Sequence, residues 1–156
     1  MDKKPYALIV IERLEYYITK EIERAMYNNM EEEKSFKLLY ERITECLNAR
    51  KELNYNPIYE NVEDFLKNYG YDDNYINDFI IRVNIDIEET KIIDRICQLE
   101  NKHNNKEFKE LYVKLEKCVE ERKKHHYDPI LNDVEDALKK YGFKKSFIKK
   151  FLNISI

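Results

Sequence analysis

Apolar residues recur along this chain every three or four positions, which is the spacing of amphipathic helices. A first helix, about 5–28, begins beside Pro5, a residue suited to a first helical turn. Its apolar positions are Ile11, Leu14, Ile18, Ile22 and Ala25. A second helix, about 31–54, follows. Its apolar positions are Phe36, Leu39, Tyr40, Ile43, Cys46, Leu47 and Leu53. The pattern predicts that each helix has one buried face and one solvated face.

Two shorter helices are predicted to follow. Asn56 stands before Pro57, and this pair suits a helix start because Asn accepts orphan N–H groups and Pro lacks one. The third helix has Ile58, Val62, Leu66 and Tyr69 as its apolar positions. It is predicted to end at Gly70, the residue best suited to a left-handed backbone. A fourth helix, about 72–82, buries Tyr75, Ile76 and Phe79. The stretch 83–87 fits either a helical continuation or an extended linker.

The sequence of residues 36–79 recurs at 108–151. The two segments align without a gap and are identical at 19 of 44 positions, whereas unrelated sequences would share about three. A further block, TKEIER at 19–24, matches TKIIDR at 90–95. We therefore predict an all-α fold made by tandem duplication of a four-helix unit, with about eight helices sharing one core. The predicted organisation is a single domain over 1–156, with repeat 1 at 5–83 and repeat 2 at 88–153.

The second repeat predicts the same elements as the first. Its helices span about 88–102, 106–125 and 144–152, and Asp128 before Pro129 marks the start of its third helix. The apolar positions of these helices are Ile92, Ile93, Ile96, Leu99, Phe108, Leu111, Tyr112, Leu115, Cys118, Val119, Phe147, Ile148 and Phe151. The cysteines Cys46 and Cys118 occupy equivalent stripe positions, which predicts two core residues.

Composition narrows the class of protein. The chain has only two glycines and three prolines among 156 residues, which favours long helices over turn-rich β folds. Its three cysteines are too few for a disulfide framework, and no apolar run is long enough for a signal peptide or a membrane span. These features predict an intracellular, cytoplasmic protein with reduced thiols. The abundance of Lys, Asn, Ile and Tyr is typical of AT-rich bacterial or viral genomes.

The two repeats differ in the charge of one helix face. Asp72, Asp73, Asn77 and Asp78 in the first repeat are all Lys in the second, while the apolar positions between them are kept. Over the whole chain, residues 1–89 hold 12 basic and 20 acidic residues, whereas residues 90–156 hold 16 and 11. Neutral drift of a solvated surface explains such exchanges at small energetic cost. Their single direction favours different partners for the two faces, or a contact between two copies of the chain.

An acidic surface rich in tyrosine is suited to bind a basic protein, because Tyr offers area and a hydrogen bond, and carboxylates speed encounter with a cationic partner. The first repeat holds ten of the thirteen tyrosines. We predict a non-catalytic protein-binding module, such as an inhibitor, immunity or decoy protein. Its predicted contact residues are Asp72, Asp73, Asp78, Tyr59, Tyr71, Tyr16 and Tyr17.

The alternative hypothesis is a nucleic-acid-binding regulator. The segment 134–151 has the order helix, glycine turn, helix that is typical of a helix-turn-helix, and its lysines suit phosphate contacts. These lysines are Lys139, Lys140, Lys144, Lys145, Lys149 and Lys150. Within 144–152 there is no Arg, Asn or Gln to read base edges, which limits this hypothesis to nonspecific contacts.

The chain lacks sequence signatures of catalysis or of cofactor binding. It has no phosphate-binding glycine loop and no nucleophile elbow, and the pair Glu100 and His103 has no counterpart in the first repeat for a two-metal site. The acidic pairs Glu63-Asp64 and Glu135-Asp136 are accounted for by the helix dipole at the start of the third helices. We therefore predict no enzyme activity, no cofactor and no metal.

Overall fold

Every regular element in the described part of the chain is an α-helix. The computed structural model describes residues 4–27, 35–56, 59–100, 102, 105–128 and 130–155. The helices are α1 (Tyr6–Tyr27), α2 (Phe36–Glu52), α3 (Val62–Asn68), α4 (Asp73–Leu99), α5 (Asn105–Lys124), α6 (Val134–Lys140) and α7 (Lys145–Ser155). The all-α prediction is confirmed. The chain divides into two compact units, 1–83 and 84–156.

Helix α4 accounts for the difference between the predicted eight helices and the seven described. It runs without interruption from Asp73 to Leu99, so the stretch 83–87 is helical. This stretch holds no Gly or Pro, and nothing in it removes a backbone donor or favours a left-handed turn. One helix therefore replaces two predicted ones, the fourth helix of the first repeat and the first helix of the second. The boundary between the two units falls within it, after Val83. A single core shared by both repeats stays a prediction.

The third helices begin later than predicted. Asn61 and Asp133 are the N-caps, and each side chain accepts a backbone N–H three residues on, at 2.9 Å. Asn56 and Asp128, the predicted caps, instead adopt φ values of 46° and 58° in the preceding turn. Asn and Asp tolerate this left-handed conformation better than other non-glycine residues. The prediction also depended on Pro57, Ile58 and Pro129, which lie outside the described residues.

The predicted glycine stops are confirmed. Gly70 and Gly142 have φ values of 89° and 83°, a conformation that costs other residues strain. At the first stop, Tyr71 N donates to Leu66 O at 3.2 Å and Gly70 N to Lys67 O at 3.0 Å. These two hydrogen bonds form a Schellman motif, which satisfies the last carbonyls of α3 and turns the chain into α4.

Each unit buries an apolar interior beneath its helices. In unit 1, the Phe36 and Phe79 rings meet edge to face at 5.5 Å, and Phe108 and Phe151 in unit 2 do so at the same distance. The core of unit 2 comprises Ile92, Ile93, Ile96, Leu99, Phe108, Leu111, Leu115, Cys118, Val119, Leu131, Val134, Ala137, Leu138, Ile148 and Phe151. Cys46 and Cys118 are buried, which confirms their predicted packing role.

Two residues predicted to be buried are exposed. Leu14 is 50% exposed, and its neighbour Glu15 is fully buried in its place. Leu53 is 44% exposed because it is the C-cap residue of α2, just after the last helical turn. Tyr75 and Phe147, also predicted to be buried, are half buried. The other predicted positions of α1, Ile11, Ile18, Ile22 and Ala25, are buried, and Glu15 with its ion pair joins them in place of Leu14.

Candidate protein-binding surface

A buried arginine joins α1 to α2 inside unit 1. Arg50 Nε and Nη2 donate to the two carboxylate oxygens of Glu15, at 2.7 Å and 2.6 Å. The Tyr69 hydroxyl donates to the same carboxylate at 3.2 Å, and the Tyr59 ring lies 5.0 Å from the guanidinium carbon. This bidentate pair fixes the orientation of both helices.

The equivalent arginine of unit 2 holds two carboxylates. Arg122 Nε donates to Glu89 Oε2 at 2.6 Å, and Nη2 donates to Asp86 Oδ1 at 2.8 Å. The Tyr127 hydroxyl donates to Asp86 at 2.7 Å, and the Tyr141 hydroxyl donates to Glu89 at 2.8 Å. Lys140 stands 4.0 Å from Glu89, at the edge of the cluster. The second cluster therefore holds one more buried acid than the first.

These two clusters are suited to hold the fold rather than to act on a substrate. Arg50, Arg122, Glu15 and Glu89 are each at most 3% exposed, so a solute has no access to them. Burial raises the pKa of Tyr69, Tyr127 and Tyr141 above the usual range, which keeps their hydroxyls protonated as donors. The apolar pattern alone does not identify Glu15 as a buried residue. Glu15 lies four residues after Ile11 and three residues before Ile18, and this spacing is the sequence signal that could have predicted its burial.

Two of the tyrosines predicted to contact a partner, Tyr59 and Tyr71, make contacts within unit 1. Tyr59 is only 6% exposed beneath Arg50, which leaves its ring no surface for a partner. Tyr71 and Tyr75 stack at 4.8 Å, and their hydroxyls donate to the Thr19 and Ile22 carbonyls at 2.8 Å and 3.3 Å. These tyrosines attach the start of α4 to α1. Their counterparts in unit 2, Phe143 and Phe147, also stack but have no hydroxyl.

The two remaining predicted tyrosines lie on the surface of α1. Tyr16 is 53% exposed and Tyr17 is 65% exposed, and their rings meet edge to face at 6.0 Å. Tyr17 belongs to a series of exposed apolar residues spaced four, four and three positions apart. This outer stripe comprises Tyr6, Val10, Leu14 and Tyr17. It occupies one helix face over about 16 Å, because each residue advances the helix by about 1.5 Å.

The three aspartates predicted to contact a partner differ in whether their side chains are already bonded within unit 1. Asp72 caps α4, since its side chain accepts Tyr75 N at 2.8 Å. Asp78 pairs with the buried Arg82 at 3.2 Å, one helical turn away. Asp73 is exposed in the first turn of α4. Asp73 is therefore the aspartate that a substitution can test with the least effect on folding.

A groove lies between the end of α1 and the start of α4. It measures about 610 Å³ and is lined by Lys20, Glu23, Arg24, Met26, Tyr27 and Tyr75. Glu23 raises the pKa of both Tyr71 and Tyr75, after the larger effect of burial, so its carboxylate lies close to the stacked pair. The groove thus combines aromatic side chains with charges of both signs.

The six predicted lysines of unit 2 lie on α6, α7 and the turn between them. Lys139 pairs with Glu135 at 3.6 Å, and Lys140 pairs with Asp128 at 3.0 Å. Lys144, Lys145, Lys149 and Lys150 are exposed. Lys144 occupies the cap position of α7, where its carbonyl accepts Ile148 N at 3.0 Å. At the same position of α4 stands Asp72.

Comparison with known proteins assigns no relative. The chain matches no protein-family model, no curated protein and no solved structure.

Among the described residues, no three His, Cys, Asp or Glu side chains are grouped so that they could hold a metal ion. His103, from the pair with Glu100 that was considered for a metal site, lies outside the described residues. No described helix is both long and apolar enough to cross a bilayer.

Proposed function

We propose that this protein is a non-catalytic protein-binding module whose first unit binds a basic partner. The observation that carries the proposal is the outer stripe of α1, where four apolar or aromatic residues follow one another on a solvated face. A continuous apolar stripe of this kind is a typical mark of an interaction site. Exposed tyrosines supply contact area at small entropic cost.

Charge favours a basic partner. Residues 1–83 hold 12 basic and 17 acidic residues, a balance of −5. Carboxylates such as Asp73 and Glu23 would steer a cationic surface toward unit 1, while the apolar stripe would supply the buried contact. An inhibitor, immunity or decoy protein that covers the nucleic-acid-binding surface of an enzyme has this combination of charge and aromatic area.

The matched arrangement of the two units supports a further part of the proposal, a tandem duplication of one helical unit. The caps Asn61 and Asp133, and the glycines Gly70 and Gly142, stand 72 residues apart and have like conformations. After such a duplication, one unit is free to change its surface while the other keeps its own.

The test is capture of a partner from cell extract, followed by binding titrations with the purified partner. The test variant combines Tyr17→Ser with Asp73→Lys, since both side chains are exposed and neither holds the fold. The expected result is a loss of affinity of about ten-fold or more, because a buried aromatic contact is removed and a repulsive charge is added.

A matched control carries the same types of change on α5. Val113→Ser and Glu110→Lys remove one exposed apolar residue and one exposed acid from unit 2. This control is expected to keep the affinity of the unmodified protein. Equal losses in both variants, or none in either, would contradict a binding surface on unit 1.

The alternative candidate function is duplex DNA binding by the corner of α6, the glycine turn and α7. The observation that favours it is the exposure of Lys144, Lys145 and Lys149 at this corner. Duplex binding that is lost when these lysines become Glu, together with no protein partner in extract, would replace the protein-binding proposal.

A further inference from the structure

We propose that the outer face of α7 binds single-stranded nucleic acid, an activity separate from protein binding by unit 1. Strands of this kind are typically held by a positively charged groove that contains aromatic rings on which bases stack. Unit 2 combines both features along α7, where lysines line grooves that include an aromatic ring.

The charges of this face are not there for the stability of the fold. Lys144 and Lys145 stand at the N-terminal end of α7, where the helix dipole disfavours cations. In α4 the same positions hold Asp72, whose side chain caps the helix at 2.8 Å, and Asp73. The lysines therefore weaken the start of α7 relative to α4. A role in binding anions accounts for their presence.

The same lysines line grooves on both sides of α7. One groove, of about 420 Å³, is lined by Lys139, Lys145, Lys149, Glu135, Ile148, Leu152 and Asn153. The other, of about 370 Å³, includes Lys144, Ser146 and Lys150 together with Glu100. Each groove holds more ammonium groups than carboxylates. Lys144, Lys145 and Lys149 form no ion pair with any described residue, so their charges are available to phosphates.

Phe147 supplies the aromatic surface within the second groove. Its ring lines the groove beside Lys144 and Lys150, and it stacks on Phe143 at 5.1 Å. Both rings are half buried, so one part is fixed by packing and another part faces solvent. Unpaired bases offer faces that stack on such a ring, whereas the bases of a duplex are already stacked on each other. This contrast favours a single strand over a duplex.

The test is fluorescence anisotropy of the whole protein with a labelled oligo(dT) of about 20 nucleotides, long enough for typical site sizes of single-strand binders. A duplex of equal length is the comparison. We expect tighter binding of the single strand, with affinity falling steeply between about 50 and 200 mM salt because phosphate contacts release counterions.

Two variants separate charge from stacking. The first replaces the four lysines by their unit 1 counterparts, Lys144→Asp, Lys145→Asp, Lys149→Asn and Lys150→Asp, and is expected to lose affinity about ten-fold or more. The second, Phe147→Leu, keeps an apolar side chain and is expected to lose about ten-fold in affinity for oligo(dT), with little change in affinity for the duplex.

The charge control makes the same changes at four other exposed lysines, none of which lines either groove: Lys106, Lys109, Lys117 and Lys114. Circular dichroism checks that each variant is folded.

Several results would overturn the proposal. These are no oligo(dT) binding at the lower salt concentration, equal losses in the charge variant and its control, or an unchanged affinity in Phe147→Leu. Light scattering that shows salt-dependent self-association, abolished by the four lysine changes and without oligo(dT) binding, would assign the face to a second copy of the chain. The oligo(dT) outcomes do not bear on the binding of a basic partner by unit 1, so the two proposals fail separately.

Discussion

At the scale of single residues, the buried arginines Arg50 and Arg122 each connect two helices. Each donates in bidentate geometry to a carboxylate that belongs to another helix. A buried ion pair adds little net stability, because desolvation offsets attraction, but breaking one leaves an uncompensated charge. These residues therefore specify which helix faces meet more than they add to the free energy of folding.

Removing Arg50 is expected to destabilise the protein strongly. Arg50→Met leaves the fully buried Glu15 without its partner, which should lower the free energy of unfolding by about 3–5 kcal/mol. The double variant Glu15→Leu with Arg50→Met should regain most of that loss, since no buried charge remains. Urea unfolding followed by circular dichroism measures both. A loss below about 1 kcal/mol in Arg50→Met would show that the ion pair is dispensable.

The cysteines should differ sharply in reactivity. Burial raises the pKa of Cys46 and Cys118 to about 11, so both stay protonated and shielded near neutral pH. Cys97 is exposed on α4. We expect one thiol per chain to react rapidly with a disulfide reagent in the native protein and all three to react in denaturant. Two or three rapid native thiols would contradict the assignment of Cys46 and Cys118 to the core.

At the scale of elements, helix starts and stops explain where the chain turns. Asn61 and Asp133 cap α3 and α6, and Gly70 ends the turn that leads into α4. The start of α7 differs from the starts of α3 and α6, because the residue at its cap position is Lys144. Side chains with an acceptor oxygen are preferred at this position. The sequence pattern predicts the glycine stops well, since only one residue type readily adopts that backbone.

Exchanging the cap residues should shift stability in opposite directions. Lys144→Asp is expected to raise the free energy of unfolding by about 0.5–2 kcal/mol, because it adds a cap that α7 lacks. Asp72→Lys should lower it by a similar amount, since it removes the hydrogen bond to Tyr75 N. The measurement is the urea midpoint of each variant, with Lys149→Asp as the charge control outside the first turn. A destabilised Lys144→Asp protein would assign Lys144 a structural role.

At the scale of the whole molecule, one chain contains two units of opposite charge balance. Residues 1–83 carry −5, and residues 84–156 carry +2, with 16 basic and 14 acidic residues. Both units nevertheless share one feature, a set of tyrosine hydroxyls buried against carboxylates or carbonyls. We therefore expect folding to be sensitive to alkaline pH.

Stability should fall as pH rises above the ordinary tyrosine range. Burial raises the pKa of Tyr75 from 10.0 to about 12, and Tyr69, Tyr71, Tyr127 and Tyr141 shift in the same direction. A raised folded-state pKa contributes stability that is complete below the unfolded value and is lost as pH rises through the folded value. Urea midpoints should therefore be steady up to about pH 9 and decline above about pH 10. The double variant Tyr71→Phe with Tyr75→Phe should decline less steeply, and an identical decline would exclude these two groups as a cause.

The amino-acid sequence by itself determined the helical class, the second helix of each repeat, the glycine stops and the burial of Cys46 and Cys118. These follow from periodicity and from the backbone preferences of single residues, which act over a few positions. It did not determine that 83–87 continues a helix, because β-branched residues there fit either state. Only the tertiary structure decided that Glu15 is buried and Leu14 is exposed. It also decided that the Tyr59 ring packs against Arg50 and that the Tyr71 hydroxyl donates to a carbonyl of α1. The reason is that a buried arginine or a carbonyl on another helix, distant along the chain, fixes where each of these side chains points.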